Sequence, residues 1–220
     1  MQALILAGGL SRRLNGVPKA GLMLDGQTLL ARTVDAAARV IAAQAGTAHV
    51  PLAAQLGIAV VGPVGSIAQW LATAQTVAGV AAVQEDPPYS GPAAGIAAGV
   101  AALPGSGGYV LVLACDMPHA GELAELLAAE LPGCAAGEGV MAVADGRRQP
   151  LAAIYPLAVL REASDAARKT QRLENASVFS LVASVNIKEC AVPSGLTADI
   201  DTWADARAQG IGAGTADAEG

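Results

Sequence analysis

Short apolar runs that break off at glycine or an acid punctuate this chain, and helix-length stretches of small residues separate them. Residues 2–7 end at Gly8-Gly9 and residues 109–114 end at Cys115-Asp116; residues 58–61 and 80–84 have the same strand-like character. Such runs suit buried strands, because they are too short to form a packed helix. Helices are predicted between them. One is capped by Thr28 and runs through Ile41, and others cover residues 66–78, 92–102 (opened by a proline in its first turn) and 122–131. In the first helix, Arg32, Asp35 and Arg39 are expected on the solvent face. Strands alternating with helices imply a single Rossmann-like, three-layer α/β domain with a mostly parallel sheet. Residues 140–144 and 151–155 flank Asp145-Gly146 and predict a short antiparallel excursion. Helices over 157–168 and 173–182, a last strand over 185–191 and a helix from Thr202 through Arg207 complete the domain at about residue 208. Residues 209–220, rich in Gly, Ala and Asp, are expected to be a disordered tail.

Composition narrows the function classes. Of 220 residues, 53% are hydrophobic but only 3% aromatic, so small aliphatic side chains must fill the core. The net charge of −6, without any Lys/Arg cluster, argues against a nucleic-acid partner. Cys115, Cys134 and Cys190 have no metal-ligand spacing, which suits a reducing compartment without disulfides. The first residues carry no cationic leader, so a cytoplasmic location is expected. Between Arg39 and Glu85 there is no charged residue, yet Gln69, Thr73, Gln75 and Thr76 interrupt the one stretch of membrane-spanning length. No membrane role is expected; a charge-poor surface helix there would suit a partner subunit.

Four constellations carry chemistry. In Leu6-Ala7-Gly8-Gly9-Leu10-Ser11-Arg12-Arg13-Leu14-Asn15-Gly16-Val17-Pro18-Lys19, the glycines let backbone amides approach a ligand, and three cations follow. Triphosphate chemistry needs such fixed positive charge. The segment is neither a dinucleotide fingerprint nor a P-loop, and it also suits a plain turn with solvated arginines. Asp116, just beyond a buried strand, stands where open α/β sheets bind ligands and where a carboxylate can hold Mg²⁺; it also suits a turn cap. Glu85-Asp86-Pro87-Pro88-Tyr89-Ser90-Gly91-Pro92-Ala93-Ala94-Gly95 is a stiff loop leading into small residues, fit for a flat base or pterin ring or for a routine connection. Asp199 and Asp201, two apart on an extended segment, point the same way and suit a shared metal, while Asp201 also suits a helix cap.

Together with Leu113-Ala114-Cys115-Asp116-Met117-Pro118, Asp145-Gly146-Arg147-Arg148-Gln149-Pro150-Leu151 and Asp199-Ile200-Asp201-Thr202-Trp203, these segments occur in one order. In that order the chain resembles the molybdenum cofactor guanylyltransferase family, of the sugar-nucleotidyltransferase-like group, over residues 1–207. The resemblance implies Mg²⁺-dependent transfer of GMP from GTP to the molybdopterin-bound molybdenum cofactor, with release of pyrophosphate. It implies nucleotide contacts from Leu6, Ala7, Gly8, Gly9, Asp86 and Gly91. Arg13, Lys19 and Asp116 would be the catalytic set, with Arg13 and Lys19 binding the triphosphate and Asp116 both the nucleotide and the metal. Asp201 would serve on the metal, and Asp199 and Asp201 suit metal or pterin-phosphate contacts. Implied partners are GTP, a molybdopterin-type small molecule and a molybdoenzyme or chaperone that accepts the product, with the enzyme a monomer or weak homo-oligomer. Asn15 and Pro18 replace residues that are often Gly and Asp in the family, and Val61-Gly62-Pro63 lacks its polar residue after the second strand. Gly8-Gly9 favours guanine. Alternatives are cytidylyl or other nucleotidyl transfer to a phosphorylated acceptor, or a catalytically silent pterin carrier. His49 and His119 are not required, because a phosphate nucleophile is already ionised near neutral pH.

Overall fold

The computed structural model describes residues 1–46 and 57–211. In chain order these form β1 (Gln2–Leu6), β2 (Met23–Leu24), β3 (Gln27–Thr28), α1 (Leu29–Gln44), β4 (Ile58–Val61), α2 (Val64–Trp70), β5 (Val80–Val83), α3 (Pro92–Ala102), β6 (Tyr109–Ala114), α4 (Ala120–Glu130), β7 (Gly139–Ala144), β8 (Arg147–Pro156), α5 (Leu157–Lys169), α6 (Val178–Leu181), β9 (Ile187–Ala191) and α7 (Trp203–Ala208). Seven strands make one sheet in the order β5-β4-β1-β6-β8-β7-β9. The pairings run parallel from β5 to β6 and from β7 to β9, and β8 alone is reversed between them. The sheet is mostly parallel, as expected from the alternation of strands and helices.

Period-two alternation sorts the core onto two faces. Ala3, Ile5, Ile58, Val60, Leu111 and Leu113 pack toward the side of α1, α2 and α4. Leu4, Ala59, Val61, Val110 and Val112 pack toward α3, α5 and α6. Small residues let α3 lie close to the sheet: a Cβ on Gly99 would come within 2.5 Å of Leu4 Cδ1. The β7–β8 hairpin turns through Asp145 (φ 49°) and Gly146 (φ 72°), the left-handed pair that a two-residue turn between twisted strands needs. Between Met141 and Ala142 the register of β8 jumps from Ala153 to Gln149, so Pro150–Ala152 bulge out of this ladder.

The structure corrects three expectations. Asp35 is buried, not solvated: its carboxylate accepts from the amides of Gln75 and Thr76 and from Gln27 Nε2 at 2.8–3.0 Å. That anchor reels in the chain after Trp70, so α2 covers Val64–Trp70 rather than reaching residue 78. The helix expected over 173–182 shrinks to α6, because Asn175 takes φ 54° and donates its N–H to the Ser90 carbonyl. Thr28 caps α1 as expected, accepting from Ala31 N. After α7, Gly210 (φ 74°) ends the helix and Ile211 folds back, buried, with its N–H on the Ala206 carbonyl. The rest of the expected tail (212–220), His49 and part of the charge-poor stretch lie outside the described residues. Among the described residues, no helix is long and apolar enough to cross a membrane.

Candidate active site

The carboxyl ends of β4, β1 and β6 are held level by bonds one residue past each strand. Ala7 donates to the Val61 carbonyl, Gly62 to Val83 and Cys115 to Leu6, at 2.7–3.0 Å. Gly62 presses so close to the first loop that a Cβ there would lie 3.1 Å from the Ala7 carbonyl carbon and oxygen. Above this rim opens a cavity of about 870 Å³, in the size range of small-molecule sites. Its lining includes Leu6, Ala7, Gly8, Gly9, Arg13, Lys19, Gly91 and Asp116, together with Asp201. Asp86 is exposed and does not line the cavity, whereas the neighbouring Glu85 does, with its Oε1 accepting from Tyr89 N at 2.9 Å. Arg12, Ser66, Trp70, Tyr89 and Leu151 also line it. For Leu151 a sequence signal existed, Pro150 beside a hairpin, since proline in a strand marks a bulge.

Lys19 is the centre of the electrostatics. Its Nζ donates to Asp116 Oδ2 at 2.8 Å and to Asp201 Oδ1 at 2.5 Å, while Arg13 donates to Asp201 Oδ2 at 2.9 Å. Half-burial pulls the Lys19 pKa down, but the charge of Asp116 and the bonds to Asp116 and Asp201 outweigh it and raise the value. The Lys19 hydrogen bond holds the Asp201 carboxyl below its ordinary range. Asp199 is shifted the other way, by desolvation first and then by repulsion from Asp201 and Asp116.

The carboxyl-terminal acids reach this site through a satellite core. Ile200 is buried with Leu14, Leu22, Leu29, Ala206 and Ile211, and its N–H donates to the Asp116 carbonyl at 3.0 Å. With Ile200 turned inward, Asp199 and Asp201 turn outward beside Asp116. Thr202, not Asp201, caps α7: it accepts from Asp205 N while Asp205 accepts from the Thr202 N–H. Asp201 is thereby left for the cluster. Carboxylate oxygens of Asp116, Asp199 and Asp201 lie within 4.8 Å of one another. Mg²⁺ binds oxygens at about 2.0–2.1 Å, which sets neighbouring ligand oxygens about 3–4 Å apart. Three carboxylates gathered this closely are the oxygen donors a hard divalent cation takes, so the donor set fits one. Cys115 also lines the cavity, and burial and then the Asp116 charge push its thiol above its ordinary range, which favours the neutral thiol. His119 stands outside the lining residues, 3.8 Å from Glu122.

Comparison with known proteins places the geometry in context. The model of the MobA-like NTP transferase domain matches residues 3–184. A protein of Opitutus terrae named "Probable molybdenum cofactor guanylyltransferase" is 34% identical over 193 residues, covering 86% of this chain and 83% of its own length. The crystal structure of molybdopterin-guanine dinucleotide biosynthesis protein A from Archaeoglobus fulgidus superposes with a TM-score of 0.60 at 20% identity, over 95% of this chain and 96% of that one. That of 2-C-methyl-D-erythritol 4-phosphate cytidylyltransferase from Thermus thermophilus gives 0.56 at 20% identity, over 94% and 96%. At such identities the two superpositions speak for the fold alone.

Proposed function

We propose that this chain, which belongs to the MobA-like NTP transferase domain family and is a nucleotidyltransferase, moves GMP from GTP to the molybdopterin-bound molybdenum cofactor and releases pyrophosphate. The observation that carries the reading is the meeting of Lys19 with Asp116 and Asp201, from three distant parts of the chain, at the rim of a nucleotide-sized cavity. In this reading the backbone of Leu6, Ala7, Gly8 and Gly9 borders the nucleoside, with Gly91 across the cavity. Asp116 and Asp201, helped by Asp199, would hold Mg²⁺. When bound, the ion would supply positive charge that offsets the charge building on the phosphates. Lys19 and Arg13 exchange their carboxylate partners for triphosphate oxygens and offset charge on the departing pyrophosphate. The terminal phosphate of the pterin attacks the α-phosphorus, the bond to the β-phosphate oxygen breaks, and no protein nucleophile is needed.

Asp86 would reach the nucleotide through an inward turn of its loop, whereas Glu85 is the acid that lines the cavity. The fold does not choose the base, since guanylyl- and cytidylyl-transferring proteins superpose almost equally well. The choice of guanine rests on the Opitutus relative and the Gly8-Gly9 loop. Incubation with Mg²⁺, molybdopterin and each labelled triphosphate in turn tests it. The expected product is the guanine dinucleotide with stoichiometric pyrophosphate, from GTP alone. Product from CTP alone would establish the cytidylyl alternative, and binding of the pterin with no product from any triphosphate would establish the carrier alternative.

A further inference from the structure

Three cations follow the glycine loop, and the structure divides them. Lys19 is committed to Asp116 and Asp201, and Arg13 to Asp201. Arg12 lines the same cavity, is exposed, and among the described residues has neither an ion-pair nor a hydrogen-bond partner. The division follows from local geometry. Arg12–Leu14 form a single 3-10 turn, in which consecutive side chains diverge by about 120°. Leu14 is fully buried in the satellite core, so it fixes the turn and sends the two arginines in different directions. Ser11, in the left-handed region at φ 42°, receives the Leu14 and Gly16 amides on its carbonyl and locks the turn from the other side.

We infer that Arg12 is the standing phosphate contact of this enzyme: it captures the polyphosphate of the nucleotide before any metal has bound. The inference rests on the nucleotidyl-transfer reading and adds a residue and an order of events to it. Asp116, Asp199 and Asp201 bring three negative charges to the rim, and Lys19 and Arg13 balance two of them. Each of these two cations is already paired with an acid, so its charge is partly offset where a phosphate would approach. Among the described lining residues, a triphosphate approaching a protein of net charge −6 therefore meets one uncommitted guanidinium, that of Arg12. A guanidinium binds phosphate oxygens through paired N–H donors and is never deprotonated near neutral pH. Once the nucleotide is held and metal enters the acid cluster, Lys19 and Arg13 are released toward the same phosphates. Arg12 thus acts on capture, whereas Arg13 acts on the metal site through Asp201.

The two roles separate in direct binding experiments. GTP is titrated calorimetrically into wild type, Arg12→Ala, Arg12→Lys and Arg13→Ala in buffer with EDTA. Mn²⁺ binding without nucleotide is then measured by electron paramagnetic resonance. Arg12→Ala should weaken metal-free GTP binding about tenfold, the scale of one charge-assisted contact. Arg12→Lys should recover part of the loss, and Mn²⁺ affinity should stay unchanged in both variants. Arg13→Ala should instead raise Mn²⁺ affinity, because it removes a positive charge and frees Asp201 Oδ2 while Lys19 keeps Oδ1. Equal metal-free GTP affinity in Arg12→Ala and wild type overturns the inference, as does a wild type that binds GTP only with metal present. A wild type that binds no nucleotide under either condition removes the nucleotidyl-transfer reading itself.

Discussion

Lys19 donates to Asp116 and to Asp201 at 2.8 and 2.5 Å, so a divalent cation must compete with an ammonium already seated among the acids it would bind. Asp116 is the acid on which both arrangements depend, since it touches Lys19 now and would ligate the metal later. Asp116→Ala should lower pyrophosphate release by a factor of about 10² or more, while the melting temperature moves by only a few degrees. Full turnover in that variant would remove Asp116 from the metal site. Asp199 makes an opposite case. Desolvation and the like charges of Asp201 and Asp116 raise its pKa above the ordinary 3.8, so the folded protein holds that proton more tightly than the unfolded chain does. Stability contributed by the protonated form is lost as pH rises through the raised value. Asp199→Asn should therefore raise Tm of the metal-free protein at pH 7, with the gain vanishing as pH falls below 3.8, and should weaken Mn²⁺ binding. A Tm gain that persists unchanged at pH 3 would contradict the repulsion.

At the scale of elements, the approach of α3 to the sheet sets the depth of the cavity floor. Gly95 and Gly99 face β1 and β4, where a Cβ would meet Leu6 Cδ2 at 3.1 Å and Leu4 Cδ1 at 2.5 Å. Leu4 is fully buried and cannot swing aside. Alanine normally stabilises a helix by about 1 kcal/mol over glycine. Overpacking reverses that sign, so Gly99→Ala should cost about 1–2 kcal/mol in denaturant unfolding. Gly65, on the exposed side of α2 with no atom within 4 Å of its added Cβ, should gain up to about 1 kcal/mol from the same change. Equal responses at the two positions would mean that α3 does not lie as close as described. The strands and most helices were legible in the sequence, because apolar runs and helical spacing report the face each element buries. The short helices α2 and α6 are shorter than their sequence pattern because remote acceptors decide their ends: the Asp35 carboxylate captures Gln75 and Thr76, and the Ser90 carbonyl captures Asn175. Local periodicity carries no trace of either bond.

At the scale of the molecule, the site joins chain segments separated by 97 to 188 residues, and binding should tie them together. GTP with Mg²⁺ together should raise Tm by more than the sum of the separate shifts, because metal relieves the acids and thereby frees Lys19 and Arg13 for phosphate. Strictly additive shifts, read by differential scanning fluorimetry, would argue against that exchange. The sequence by itself determined the layered α/β architecture, the glycine loop, the strand-end acid and the pair of acids at 199 and 201, since each follows from short-range pattern and backbone geometry. Only the tertiary structure decided which side chains share the cavity. It put Glu85 there rather than Asp86, left Arg12 uncommitted among the described cations that line the cavity, and used buried Leu14 and Ile200 to carry Arg13 and Asp201 to one place. The reason is physical: a one-residue change of direction in a loop costs little locally, and packing against distant residues settles it.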